Sequence, residues 1–261
     1  MNYFFFLDHP DPSLGSAVEL FNRAPMDLFY KEKKNKRKIY IFYIEDNIWK
    51  NQFFSNISHN ESLIVKKSDL PKKFQNKSVL ISITSKNLKE NDPPFNDKTM
   101  NSIPAWRSNI KIFNNYTSTS YQGEFPGTFF NLNLSLTSCS PFIQLNKNIE
   151  NYFYLINFNN DPIQKSFKVE ILNSKKDLIN SFNFVTNKIN IINLENLYKD
   201  KTEDNMFIFR SKDYGGIPLY FSRSKDNMSF SLEHTHPPQE YLFLGNRGIY
   251  QKKKKSFWNH G

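Results

Sequence analysis

The sequence is poor in cysteine and glycine. Cys139 is the single cysteine among 261 residues, so no disulfide can form within the chain and a disulfide-built scaffold is excluded. No histidine lies near it in the sequence, which favours a small, buried or half-buried thiol over a catalytic one. The eight glycines argue against a dinucleotide-binding or P-loop fold, since both need glycine where the backbone approaches a phosphate.

Long hydrophobic runs are also missing. No segment has the roughly 20 apolar residues that a membrane-spanning helix needs. The apolar run at residues 3–7 ends at Asp8, and it lacks the basic region of a signal peptide. The sequence therefore predicts a cytoplasmic protein without a transmembrane segment.

Lysine and asparagine are abundant. The net charge of +10 arises in a composition typical of AT-rich coding sequences, so we expect a solvated, lysine-rich surface. The basic runs at residues 31–38 and 252–255 are interpreted in the same way. The sequence has no zinc-finger spacing, RNP-like aromatic motif or glycine-rich RNA loop, which argues against a nucleic-acid partner.

Aromatic residues make up 16% of the chain, and 26 of them are phenylalanines. Large rings pack well across neighbouring strands, so this composition favours β-sheet. Residues 39–44 are β-branched or aromatic throughout, which predicts a strand buried on both faces. In residues 167–171 apolar side chains alternate with Lys168 and Glu170, as in a strand with one solvated face.

Short strand-like runs recur from about residue 105 onward, each bounded by turn-forming residues. The protein is therefore predicted to be mainly β, with an antiparallel β-sandwich or jelly roll over residues 105–250. Residues 1–100 are expected to form an N-terminal β-containing segment or small lobe, with a brief helical turn at residues 16–21. The polar stretch at residues 86–104 is either a linker or a long loop. Residues 251–261 are expected to be a basic tail.

The densest group of potential metal ligands lies near the end of the chain. His234 and His236 are two positions apart and would point to the same face of a strand, and Glu240 follows a Pro-Pro pair. Two imidazoles and a carboxylate are a ligand set that divalent metals use in proteins. Alternatively, the two histidines end a strand and form only local hydrogen bonds.

The spacing His-x-His-x-x-x-Glu resembles the first metal motif of the cupin superfamily, whose fold is a double-sheet jelly roll. The resemblance implies that His234, His236 and Glu240 would hold iron, manganese, zinc or nickel. The sequence departs from the family pattern at Met228, where the motif has glycine. A second family motif should supply a further histidine, and His260 is the only histidine after Glu240.

A second candidate site combines aromatic and polar residues. Two of the eight glycines fall within residues 121–127, which indicates a turn or bulge. The predicted platform consists of Trp106, Arg107, Tyr121, Gln122 and Glu124. Its rings would stack on sugar faces while the polar groups bind hydroxyls. Alternatively, this region is a hairpin turn and the tryptophan belongs to the core.

Common catalytic motifs are absent from the sequence, including Gly-x-Ser-x-Gly, His-Glu-x-x-His and Walker A. We therefore expect a non-enzymatic binding or accessory module whose ligand is a carbohydrate or another protein. The alternative is a cupin-like enzyme that depends on a divalent metal at His234, His236 and Glu240. A third class, a structural subunit that pairs through an aromatic face, would be an oligomer. The sequence does not set the oligomeric state.

Overall fold

A computed structural model describes residues 2–22, 36–94, 108–131, 135–140, 143, 147–197 and 206–234 of the chain. Over these residues the protein is mainly β, with four antiparallel sheets and a few helical turns. The predicted mainly-β, antiparallel class is confirmed and is consistent with β-sandwich architecture. The jelly-roll prediction is not confirmed by the strand order.

Nine of the described strands come from the first part of the chain: β1 (Asn2–Phe5), β2 (Gly15–Phe21), β3 (Arg37–Glu45), β4 (Ile48–Ile57), β5 (Ser62–Lys66), β6 (Leu80–Thr84), β7 (Ser108–Phe113), β8 (Ser118–Gly123) and β9 (Phe125–Pro126). They form sheet 1, in the order β4-β3-β6-β1-β9, and sheet 2, in the order β5-β2-β7-β8. Helix α1 covers Lys72–Gln75, and 3₁₀ turns lie at Lys67–Asp69 and Gly127–Asn131.

Eight further strands follow: β10 (Leu136–Cys139), β11 (Ile149–Asn157), β12 (Ser166–Leu172), β13 (Leu178–Val185), β14 (Lys188–Asn193), β15 (Ile208–Ser211), β16 (Ile217–Ser224) and β17 (Phe230–Glu233). They form sheet 3, in the order β14-β11-β16-β17, and sheet 4, in the order β10-β15-β12-β13. A 3₁₀ turn lies at Glu195–Leu197.

Sheet 1 is buried on both faces. Phe4 shares a hydrophobic cluster with Val18 of sheet 2. Phe5 points the opposite way, because successive side chains of a strand alternate, and shares a second cluster with Tyr154 of sheet 3. The prediction that residues 39–44 form a strand buried on both faces is confirmed for residues 39–43, which lie in β3.

Sheet 3 is likewise buried on both faces, and sheet 4 covers its second face. Phe153 of β11 stacks on Phe209 of β15, with ring centroids 4.0 Å apart and an interplanar angle of 16°. The alternation predicted for residues 167–171 is confirmed in β12, where Phe167 and Val169 are buried and Lys168 is exposed. Sheet 1 therefore packs against sheet 2 on one face and against sheet 3 on the other, and sheet 4 covers the far face of sheet 3. Sheet 2 also reaches sheet 3 directly, where β8 packs beside β17.

The helical turn predicted for residues 16–21 is wrong, because these residues belong to β2. This strand pairs with β5 on one side and β7 on the other. Val18 and Leu20 are buried while Glu19 between them is half-buried, which is the period-two pattern of a strand. Pairing with partners distant in sequence decided the conformation of a segment that is also compatible with a helix.

The chain crosses from sheet 4 to sheet 3 through Gly215 and Gly216. An added Cβ at Gly216 would lie 2.1 Å from the carbonyl oxygen of Ile156, so a side chain cannot fit without moving backbone. This close approach explains why glycine, scarce elsewhere, occurs here.

None of the helices in the described ranges is long and apolar enough to cross a membrane. The predicted boundary near residue 100 and the tail at residues 251–261 lie outside the described residues, so the domain division stays a prediction.

Candidate functional site

Four of the eight residues predicted for the two candidate sites are described by the structure. They are Tyr121, Gln122, Glu124 and His234. The other four, Trp106, Arg107, His236 and Glu240, lie outside the described residues. The complete platform and the complete metal site therefore stay predictions.

The structure brings together one residue from each predicted site. Tyr121 lies near the end of β8, which packs beside β17, and His234 directly follows β17. Their ring centroids are 4.9 Å apart, with an interplanar angle of 35°. We call these two side chains the ring pair. Both are half-buried, so each ring keeps part of its surface open to solvent.

Gly123 leaves the space that the ring of Tyr121 occupies. The two residues lie on the same face of β8, because side chains two positions apart in a strand point the same way. An added Cβ at Gly123 would lie 2.1 Å from two atoms of the Tyr121 ring. Gly123, one of the two glycines that predicted a turn or bulge, is therefore required for packing. The Tyr121 ring occupies the space in which a side chain at position 123 would lie.

The remaining described platform residues surround this strand end. Gln122 is exposed on the face of β8 opposite to Tyr121, and Glu124 is half-buried directly after the strand. Ser108, the residue that follows Arg107 in the sequence, pairs with Gly123. The start of β7 and the end of β8 therefore meet beside the ring pair.

Within the described part of the chain, no group of three or more His, Cys, Asp or Glu side chains is arranged to hold a metal ion. Cys139 ends β10 and is exposed, so the prediction of a buried or half-buried thiol is wrong. Neighbouring protein atoms nevertheless remove enough water to raise the pKa of its thiol, which lowers the fraction of reactive thiolate.

A buried charge network that the sequence did not reveal centres on Arg223 in β16. Its guanidinium is paired with the carboxylate of Asp11, and its Nε donates to Glu150 Oε2 at 2.6 Å. Its Nη1 also donates to Asn227 Oδ1 at 3.1 Å, and the Tyr152 hydroxyl donates to Glu150 Oε2 at 2.9 Å. Arg223 is only 9% exposed. The network fastens the loop after β1 to sheet 3.

His9, in the same loop, is held as a neutral imidazole. Its Nδ1 accepts a hydrogen bond of 3.0 Å from the backbone N–H of Asp11, which leaves the ring proton on Nε2. Burial lowers the pKa of His9 to about 4; the charge of Arg223 acts in the same direction, and Asp11 and Glu150 oppose it. The Nε2 atom is buried and has no hydrogen-bond partner among the described residues.

Asp8 and Lys67 form a second ion pair beside His9. Lys67 Nζ lies 3.0 Å from Asp8 Oδ2 and donates to the Lys77 carbonyl oxygen at 2.6 Å. Burial raises the pKa of Asp8 and lowers that of Lys67, while the ion pair opposes both shifts. Because the Asp8 side chain keeps 39% of its surface exposed, we take both groups as ionised near neutral pH.

The sequence carries a signal for this network in the loop after β1. Asp8, His9 and Asp11 stand within four positions and are interrupted by prolines. Three ionisable groups in so short a loop indicate a functional or structural network when a residue of opposite charge is buried beside them. The counter-charge, Arg223, is 212 residues from Asp11.

Comparison with models of protein families, with curated proteins and with solved structures finds no match to this chain. The function is therefore argued from the geometry of its sites.

Proposed function

We propose that the protein is a non-enzymatic β-sandwich module that binds a carbohydrate at the ring pair, Tyr121 and His234. The observation that carries the proposal is the 4.9 Å approach of these two rings at a strand end, where both are half-buried. Rings held in this way offer an apolar surface to the C–H face of a sugar, and the protein around them limits their motion.

Polar groups beside the rings would supply the specificity. Glu124 carries a carboxylate directly after Gly123, and carboxylates accept hydrogen bonds from sugar hydroxyls. Ser108, the residue that follows the predicted platform residues Trp106 and Arg107 in the sequence, pairs with Gly123. An apolar surface flanked by a few polar groups is the usual composition of a small-molecule site.

The test is a glycan array probed with the wild-type protein and two single variants. Tyr121→Ala removes a ring of the pair, and we expect its signal to fall about tenfold, as for an aromatic anchor worth about 1.4 kcal/mol. Tyr116→Ala is the matched control, because Tyr116 lies in the turn of the same hairpin and is 78% exposed. Equal signals from the two variants, or no glycan binding by the wild type, would overturn the proposal.

Two further variants separate the parts of the site. Gly123→Ala keeps both rings but pushes the Tyr121 ring from its position, so its signal should fall while the fold is retained. Trp106→Ala tests the predicted platform beyond the ring pair, and a signal equal to that of the wild type would remove Trp106 from the site. If the protein binds another protein but no glycan, the carbohydrate proposal is replaced by a protein-binding module.

A further inference from the structure

A cleft of about 760 Å³ is lined by Asp8 and His9, in the loop after β1. A second cleft of about 510 Å³ shares three wall residues with it, namely Asp8, His9 and Asn76. We call the larger cleft the groove. The larger volume is within the range of about 300–1,000 Å³ that small-molecule sites have.

The charges in the walls of the groove cancel. The larger cleft is lined by two carboxylates, those of Asp8 and Asp46, and by two ammonium groups, those of Lys77 and Lys188. His9 adds no charge near neutral pH, because its imidazole is neutral there. A groove without net charge does not attract an anion or a cation through its field, so it favours an uncharged ligand.

The walls of the groove carry three exposed side-chain amides. Asn47, Asn76 and Gln164 line the larger cleft, and their side chains make no hydrogen bond to any other described residue. Asn47 stands in the two-residue turn between β3 and β4 with φ 56°, a backbone conformation that asparagine tolerates well. Each amide offers two donors and an acceptor, which matches hydroxyl groups because a hydroxyl is both donor and acceptor.

Asp8 supplies a fixed acceptor at the wall that the two clefts share. Its Oδ2 accepts from the buried Lys67, while its Oδ1 receives no hydrogen bond from the described residues. Hydrogen bonds to a charged acceptor are about twice as strong as those between neutral groups. Ile189 and Ile191 also line the larger cleft and offer an aliphatic surface to carbon atoms.

We propose that the groove is a second binding site, for a small neutral polyhydroxylated ligand such as a monosaccharide, disaccharide or polyol. Asp8 Oδ1 and the amides of Asn76 and Gln164 take the hydroxyl groups, and the isoleucine wall takes the carbon skeleton. The site uses residues distinct from the ring pair, so it does not rest on the proposed function.

The experiment is a titration of ¹⁵N-labelled full-length protein with glucose, maltose, trehalose and glycerol, followed by NMR. We expect at least one of them to give saturable shifts of the side-chain amide signals of Asn47, Asn76 and Gln164. Glucose 6-phosphate is the charged comparison, and it should bind no more tightly than glucose because the groove has no net positive charge.

Variants assign the site. Asn76→Ala and Gln164→Ala should each weaken binding about fivefold or more, while Asn56→Ala, an exposed asparagine on β4, should leave it unchanged. Asp8→Asn should weaken it about tenfold, and the two amide variants keep the test valid if this variant is unstable. Tyr121→Ala should have no effect here, which distinguishes the groove from the ring pair. The inference is overturned if none of the four compounds shifts the groove amides, or if glucose 6-phosphate binds more tightly than glucose.

Discussion

The imidazole ring of His9 lies edge-on to the phenol ring of Tyr152, with ring centroids 4.5 Å apart and an interplanar angle of 75°. A second edge-on contact joins His9 to Phe221, at 5.6 Å. Such contacts suit a neutral ring, and a proton added to His9 would bring a second positive charge next to Arg223. The loop after β1 is therefore docked on sheet 3 in a way that depends on the protonation state of one residue.

The first prediction concerns the pH dependence of stability. The pKa of His9 is about 4 in the folded protein, against about 6.5 when the residue is free in water. Unfolding therefore takes up a proton between these values, so the free energy of unfolding should fall as the pH falls from about 6.5 to about 4. Because solvent reaches part of the ring, we expect a loss of about 1–2 kcal/mol.

Urea unfolding at a series of pH values measures this loss. His9→Phe keeps an aromatic ring but cannot titrate, so its stability should change less over the same window. His59→Phe, in the turn between β4 and β5, is the matched control and should follow the wild type. Parallel pH profiles for His9→Phe and the wild type would contradict the prediction.

The second prediction concerns Arg223, whose side chain has two carboxylate partners. Arg223→Met should destabilise the protein by about 3 kcal/mol, because it leaves Asp11 and Glu150 without their shared counter-charge. Lys225→Met, two positions away, removes a half-exposed lysine whose ion pair with Glu195 is 3.4 Å long, and should cost less than about 0.5 kcal/mol. Midpoints of chemical denaturation compare the two, and equal midpoints would argue against a stabilising network.

The third prediction tests the close approach of two backbone segments. Gly216→Ala should cost about 3 kcal/mol, since the new Cβ would meet the Ile156 carbonyl oxygen and backbone must move. In Gly15→Ala the new Cβ would meet the half-buried ring of Phe113, at 2.6 Å, and a side chain can yield more easily. We expect a cost of about 1 kcal/mol there. A larger loss of stability in Gly15→Ala than in Gly216→Ala would contradict the prediction.

The fourth prediction concerns metal content. A non-enzymatic carbohydrate-binding module should carry far less than one divalent metal ion per chain when purified without chelator. Elemental analysis by mass spectrometry measures this for the wild type, His236→Ala and the control His59→Ala. One metal per wild-type chain that is lost only in His236→Ala would overturn the non-enzymatic proposal and favour the cupin-like enzyme.

The local sequence pattern was sufficient to predict strands whose residues alternate clearly between apolar and polar. Phe167, Lys168 and Val169 alternate between core and solvent as their chemistry requires, and β12 follows from them. The helical turn predicted at residues 16–21 is wrong because the apolar residues of β2 fit one face of a helix as well as one face of a strand. Its pairing with β5 and β7 resolved the ambiguity, and pairing between distant segments cannot be derived from the segment itself.

The candidate sites show the same limit. Tyr121 and His234 were each singled out for their chemistry, but their contact depends on β8 packing beside β17, which follows from the order of strands in two sheets. Asp11 and Arg223 are 212 residues apart, and neither segment is unusual alone. The exposed amides of the groove belong to an asparagine-rich chain, so composition hides them until the fold assembles the walls.

The place of β1 in sheet 1 has a consequence for the synthesis of the protein. This first strand lies between β6 and β9, so its second neighbour is Phe125–Pro126. At roughly 5–20 residues per second, the ribosome needs many seconds to deliver that partner. Until then β1 has β6 as its single strand partner in sheet 1, and contacts between distant residues form slowly. Sheet 1 can therefore be completed only after β9 has been synthesised.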